Sequence, residues 1–197
     1  MRAAVLPAVD APFELREIDD PEPADGEALV HVRAAGINFL DILIRRGRYP
    51  QMPEFPAVLG NELAGELEDG TRVLALVAGG AYAELAAVPR GSLVPLPDDA
   101  TFAEGAAFLL TFLTAYVPLT RQVRFEEEQT VLVHAAAGGV GTAAIQVARA
   151  LGAHVIAAVG SEEKHALCRE LGASETYVYD EIHSPPDLIT SFERSLI

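Results

Sequence analysis

The hydrophobic pattern changes rhythm along the chain. Up to about residue 98 the apolar residues come in short runs, "AAVLP", "FELREI", "ALVHVRAAGI", "RVLALV", "AYAELAAV" and "SLVPL", separated by proline, glycine and charge. Ten of the 13 prolines lie in this part. Short runs under such punctuation predict strands of a β-rich, barrel-like unit. One helix interrupts it, near 39–46. From Thr101 the spacing becomes helical: "TFAEGAAFLLTFLTAYVPL" carries a helix-period pattern that stops near Pro118. Strand "TVLVHA", helix 142–151, strand "HVIAAVG", helix 162–171 and strand "ETYVYD" follow. Each of the last two helices closes on Leu-Gly-Ala, a glycine stop. Alternation of strand and helix at this spacing means right-handed crossovers and a parallel sheet.

Between "TVLVHA" and helix 142–151 stands the most specific local pattern, Gly139-Val140-Gly141-Thr142-Ala143-Ala144, with Gly138 in front. It fits G-x-G-x-x-(G/A). Such glycines serve a tight bend, close approach of backbone to a pyrophosphate, and close helix–strand packing. The preceding strand and following helix are the context that turns the pattern into a dinucleotide cradle, with free N–H groups at the helix start facing phosphate. NAD calls for an acid at the tip of the second strand. That strand ends Val159-Gly160-Ser161 without one, and Lys164 follows a turn later. The pattern therefore favours NADPH, with Lys164 meeting a 2′-phosphate. The other reading of Lys164 is a solvated helix-face lysine beside Glu162 and Glu163.

Composition narrows the partners. Acidic residues outnumber basic ones 29 to 14, for a net charge of −15. Such a field repels nucleic acid and anionic membrane, so neither is expected as a partner. Half the residues are hydrophobic, enough for a packed core. A single cysteine, Cys168, excludes a disulfide framework and a Cys-rich zinc site. The N-terminal run is broken by Pro7, Asp10 and Pro12 before an apolar signal core develops, and no apolar run is long enough to span a bilayer. A cytoplasmic, soluble chain is expected.

The blocks "AAGINFLDILIRRGRYP", "GNELAG", "AYAELAAVP", "LTAY", "VLVHAAAGGVGTAAIQVARALGA" and "GSEEK" resemble, in the same order, the zinc-independent quinone oxidoreductases of the medium-chain dehydrogenase/reductase superfamily. The resemblance runs to about Asp180. It implies a GroES-like catalytic domain over 1–100 and the N-terminal half of a Rossmann NADPH-binding domain over 101–180. NADPH would lie in the cleft between them, and the tail 181–197 is atypical. The implied reaction is hydride transfer to a quinone or an α,β-unsaturated carbonyl. Asn38, Phe39, Leu40, Asp41 and Ile42 are then expected near the nicotinamide end, and Thr114 on its ribose side. Gly138, Gly139, Val140 and Gly141 are expected at the pyrophosphate. Gly160, Ser161, Lys164 and Tyr179 are expected around the adenosine 2′-phosphate.

Zinc-dependent relatives carry a cysteine near Asn38 and a histidine at the place of Asn61, so the resemblance implies a metal-free enzyme. Without a metal, the work falls to positioning and to polarising the acceptor carbonyl. Asn38 would orient a carbonyl or carboxamide. Asp41 would hold a water or a side chain, or cap the helix that Asn38 begins. Many relatives have a tyrosine where Leu43 stands, so a tyrosine proton donor is not expected there. Glu62 reads as a domain-packing residue, and His134 as a structural residue at a strand end.

The family fold would continue past Asp180 with a second βαβ half, a return segment that completes the first domain, and its usual homodimer edge. "EIHSPPDLITSFERSLI" matches none of these. Two further readings therefore stand beside the reductase. One is a non-catalytic, truncated nucleotide-binding remnant; the other is an enoyl-reductase-like domain of a multidomain synthase.

Overall fold

The structure is a computed structural model that describes residues 1–123, 126 and 129–179. The expectation of an atypical tail at 181–197 lies outside the described residues. The chain divides into two compact units, Met1–Leu110 and a second beginning at Thr111.

The first unit holds two antiparallel sheets. β1 (Arg2–Leu6) pairs with β2 (Glu14–Glu17) on one side and β4 (Ala57–Val58) on the other. The second sheet is built from β3 (Glu27–Ala35), β5 (Glu62–Glu66), β6 (Arg72–Leu76), β7 (Leu85–Pro89) and β8 (Leu93–Pro95), in the order β7-β3-β5-β6-β8. Successive strand residues point to opposite faces. Leu63, Val73 and Ala75 therefore enter one core with Val30 and Val88, while Ala64 and Leu74 enter another with Leu96 and Ala106. Both faces of β5 and β6 are buried, from Glu62 to Gly65 and from Val73 to Ala75. Each large apolar side chain so buried contributes about 1.5–3 kcal/mol.

Helix α1 (Phe39–Arg45) occupies the place expected from the pattern. The apolar stretch after Thr101 does not form one helix. It breaks into α2 (Phe102–Ala106) and α3 (Leu109–Val117). Gly105 is the reason α2 lies close to the sheet: a Cβ there would stand 2.8 Å from Leu96 Cδ1. Thr101 caps α2, its Oγ1 accepting from Glu104 N–H at 3.2 Å while Glu104 Oε2 accepts from Thr101 N–H at 2.7 Å. This reciprocal box satisfies two helix-end donors.

The second unit is a parallel sheet of β9 (Thr130–Val133), β10 (His154–Val159) and β11 (Glu175–Val178), in the order β11-β10-β9. Central β10 is buried from Val155 to Val159, as a strand covered on both faces must be. Helices α4 (Gly139–Ala150) and α5 (His165–Leu171) pack on it through Ile145, Ala148 and Cys168. Both Leu-Gly-Ala stops form as expected. Gly152 and Gly172 adopt left-handed φ of 85° and 111°. Ala153 N–H reaches Ala148 O at 3.0 Å and Ala173 N–H reaches Cys168 O at 2.9 Å, the six-to-one bond of a Schellman stop. Two expected boundaries moved: α4 begins at Gly139, inside the glycine turn, and 162–171 splits into a tight 3-10 turn Glu162–Lys164 followed by α5. Among the described residues no helix is long and apolar enough to cross a membrane.

Candidate functional site

Two constellations carry polar chemistry, one in each unit. In the second, β9 runs into a turn whose backbone is bent at Ala135, with φ of 49°. A left-handed alanine costs roughly 1–2 kcal/mol and persists only where its surroundings hold it. Here they do: Ala135 N–H donates to the Tyr179 hydroxyl at 2.7 Å, and Ala135 O accepts from Gly138 N–H at 2.8 Å. The rings of Tyr179 and His134 stack, with centroids 6.3 Å apart.

The chain then enters α4 at once. Gly138 is its N-cap, and the first backbone bond back into the turn is Thr142 N–H to Gly138 O at 2.8 Å. The N–H groups of Gly139, Val140 and Gly141 thus have no acceptor within the helix. Gly138, Gly139 and Val140 are exposed, whereas Gly141 is buried against the turn. A Cβ on Gly141 would collide with Ala135 O and stand 2.7 Å from Ala136 Cα, so only glycine allows the helix to start so near the strand. The two glycines differ in role: Gly141 closes the packing, whereas an added Cβ on exposed Gly139 would meet only the Thr111 side chain, at 3.3 Å. An exposed helix start whose donors are unclaimed among the described residues, with Gly139 and Gly141 bearing no side chain, fits the pyrophosphate of a dinucleotide.

At the tip of β10 stand Gly160 and Ser161. Gly160 lies beside Tyr179, a Cβ built there being 3.9 Å from Tyr179 Cε2. Lys164 is exposed at the end of the 3-10 turn. An acid also reaches this corner: Ser161 Oγ donates to Glu163 Oε1 at 3.1 Å. The strand tip itself is acid-free, as its sequence says, but the folded corner is not. Thr114 is exposed on α3.

In the first unit the chain leaves β3 at Gly36 and starts α1 with Asn38 as N-cap. Asp41, only 4 % exposed, turns its Oδ2 back to accept Asn38 N–H at 2.7 Å. The same oxygen accepts the Tyr82 hydroxyl proton at 2.8 Å, and among the described residues Oδ1 has no partner. Burial, followed by this bond to Asp41, pushes the Tyr82 phenol well above its ordinary value. Asn38 itself is half-buried, and its Nδ2 donates to Glu62 Oε1 at 2.9 Å. Glu62 is 2 % exposed, and its Oε2 accepts Leu110 N–H at 2.9 Å. Phe39 and Ile42 point outward from α1, 71 % and 41 % exposed, with Leu40 half-buried.

Asn38 and Asp41 therefore stand together, tied by backbone and by a shared helix turn. Sequence reading missed Tyr82 and gave Glu62 only a packing role. Tyr82 lies far along the chain in a block that reads as a strand, so nothing local marks it as a partner of Asp41. An acid inside an otherwise apolar strand, as in "GNELAG", is the signal for Glu62, because a buried carboxylate must be hydrogen-bonded. Among the described residues no three His, Cys, Asp or Glu side chains converge as a metal site requires.

Known proteins agree with this architecture. Residues 24–98 match the model of the alcohol dehydrogenase GroES-like domain, and residues 139–193 match that of the zinc-binding dehydrogenases. A quinone oxidoreductase of Pseudomonas aeruginosa is 41 % identical over 178 residues, covering 85 % of this chain and 54 % of the relative. The human synaptic vesicle membrane protein VAT-1 homolog-like is 36 % identical over 192 residues, covering 91 % of this chain and 45 % of that protein. The chain thus spans about half the length of these relatives. The quinone oxidoreductase of Thermus thermophilus, whose structure is known also in complex with NADPH, superposes with a TM-score of 0.90 at 44 % identity. That match covers 98 % of this chain and 64 % of the Thermus chain. An antiparallel GroES-like unit followed by a parallel sheet with a glycine turn, in the order of these relatives, places the chain in the quinone oxidoreductase family of the medium-chain dehydrogenases/reductases.

Proposed function

We propose that the chain is the NADPH-binding and carbonyl-orienting part of a reductase acting on a quinone or an α,β-unsaturated carbonyl, without a metal ion. The observation that carries this reading is the exposed start of α4, where the Gly139, Val140 and Gly141 N–H groups have no acceptor in the helix and Gly139 puts no side chain before them. NADPH would supply the hydride. Gly138, Gly139, Val140 and Gly141 hold its pyrophosphate through backbone donors and the helix dipole. Ser161 and Lys164 bind the 2′-phosphate, with Gly160 leaving room and Tyr179 bordering the adenosine. Thr114 serves the ribose on the nicotinamide side.

In the first unit, Asn38 presents the one half-buried carboxamide of its constellation and orients the nicotinamide or the acceptor carbonyl; Phe39, Leu40 and Ile42 flank it with apolar surface. Asp41 contributes by holding the N-cap backbone in place, its own carboxylate being taken up by Asn38 N–H and Tyr82. Delivery of hydride to an enone leaves an enolate oxygen that takes its proton from solvent. Placement in the cytoplasm suits a chain whose single cysteine is free and buried.

Fluorescence titration of the chain with NADPH, beside quinone-dependent oxidation of NADPH, tests the reading. Saturable binding with turnover is the expected result. Binding without turnover would assign the chain the nucleotide site alone, and absence of binding by the folded chain would defeat the proposal.

A further inference from the structure

The Glu62 carboxylate is buried and has a donor at each oxygen: Asn38 Nδ2–H at 2.9 Å and Leu110 N–H at 2.9 Å. Space is reserved for it. A Cβ on Gly36 would collide with Glu62 Oε1 and stand 2.6 Å from its Cγ, so the glycine before α1 exists where the carboxylate passes. A carboxylate flanked by two N–H donors acts only as an acceptor. Whatever Asn38 turns toward it must be the amide nitrogen; the amide oxygen in that place would set two acceptors against each other in a buried site.

We propose that Glu62 is the positioning residue that fixes the sense of the Asn38 carboxamide, nitrogen inward and oxygen on the opposite side, before any ligand arrives. A free amide would sample both senses, and the wrong one would offer a ligand a donor in place of an acceptor. Pre-set polarity of this kind is what makes an oriented group effective without reorganisation. The functional half of the proposal rests on the reading of Asn38 as part of the NADPH and acceptor site. The structural half does not.

An exchange of acid and amide separates the two. In Glu62→Gln the new side chain keeps Leu110 N–H on its oxygen and turns its NH2 to Asn38, which must flip. In Asn38→Asp two carboxylates face one another. In the double variant Asn38→Asp/Glu62→Gln a donor again meets an acceptor, with the same total charge as the parent.

Three readouts are taken on the full chain: the side-chain NH2 resonances of Asn38 in a 15N–1H spectrum, thermal unfolding, and NADPH affinity. One Asn38 amide proton is expected strongly downfield in the parent and displaced in Glu62→Gln. Each single variant is expected to unfold earlier, with the double variant recovering much of the loss. NADPH is expected to bind about tenfold more weakly to Glu62→Gln, the order of a lost bond to a charged group. Unmoved Asn38 resonances in Glu62→Gln, or strictly additive losses of stability, would overturn the positioning role. Should Glu62→Gln fail to fold, the double variant decides by recovering the fold or by failing with it. A displaced resonance with NADPH binding and turnover unchanged in Glu62→Gln would overturn the functional half and the placement of Asn38 with it, leaving the glycine turn's role intact.

Discussion

The Tyr82 hydroxyl donates to Asp41 Oδ2 at 2.8 Å, joining the chain just before β7 to the first turn of α1. Asp41 uses the same oxygen to hold Asn38 N–H, so the two bonds together set the start of the helix. Removal of the hydroxyl in Tyr82→Phe leaves a buried carboxylate short of a donor. A loss of about 1–3 kcal/mol in unfolding free energy is expected, measured by urea denaturation. The pH dependence has a definite sign. The folded phenol titrates above its ordinary value of 10.0, so above that pH the unfolded chain releases a proton that the folded chain keeps. Stability therefore falls as pH rises through 10, and less steeply in Tyr82→Phe. Alkaline unfolding curves of the two proteins check this.

Gly141 and Gly139 are expected to fail differently. Gly141→Ala drives a methyl into Ala135 O and Ala136 and should cost about 1–3 kcal/mol of stability, with NADPH binding lost as a consequence. At Gly139 the nearest atom to an added Cβ is Thr111 Cγ2 at 3.3 Å, a contact that a side chain can relieve. On the proposed placement of the pyrophosphate, Gly139→Ala should keep its melting temperature within a few degrees yet bind NADPH roughly tenfold more weakly, because the added methyl would crowd the phosphate. Calorimetry and fluorescence titration on both variants separate the effects.

At the β10 tip, Lys164 and Glu163 pull in opposite directions. Lys164→Ala should weaken NADPH by roughly 10- to 100-fold, the range of a charge-assisted bond to phosphate, and leave NADH nearly unchanged. Glu163→Gln removes the acid that Ser161 Oγ now engages, and should tighten NADPH while leaving NADH alone. Equal changes for the two cofactors in both variants would place the 2′-phosphate elsewhere. The Lys164 effect should also shrink with added salt, as that of an exposed charge does.

The α2 capping box gives a test at acid pH. Bonds from Thr101, first its backbone N–H and then its hydroxyl, hold the Glu104 carboxyl below the ordinary carboxylate value of 4.5. Its contribution to stability is present above that value and disappears as pH falls through the lower folded one. Thr101→Ala should lower the melting temperature by a few degrees at neutral pH, and the gap from the parent should narrow in acid. Melting curves recorded at several pH values from neutral downward measure it.

Much of the fold was legible locally. The short strand runs before residue 98, the alternation of strand and helix from Thr130 on, and the two Leu-Gly-Ala stops depend on neighbours within a few residues, and these formed where the pattern places them. The glycine turn was legible for the same reason, since strand, turn and helix start are one continuous stretch. Sequence misjudged where α4 begins and read through the break between α2 and α3. The start of α4 goes with the close approach of Gly141 to Ala135, which a one-dimensional pattern does not contain.

Sequence by itself determined the two kinds of unit, the glycine turn at the start of α4 and the pairing of Asn38 with Asp41, because three residues apart across a helix start is a local geometry. Tertiary structure alone decided what holds them. Tyr82 reaches Asp41 across 41 residues, Glu62 reaches Asn38 across 24, and Tyr179 reaches Ala135 across 44. Each of these bonds is made by a polar group that must find a partner once water is removed, and which partner it finds is fixed only when the strands pair and the helices pack.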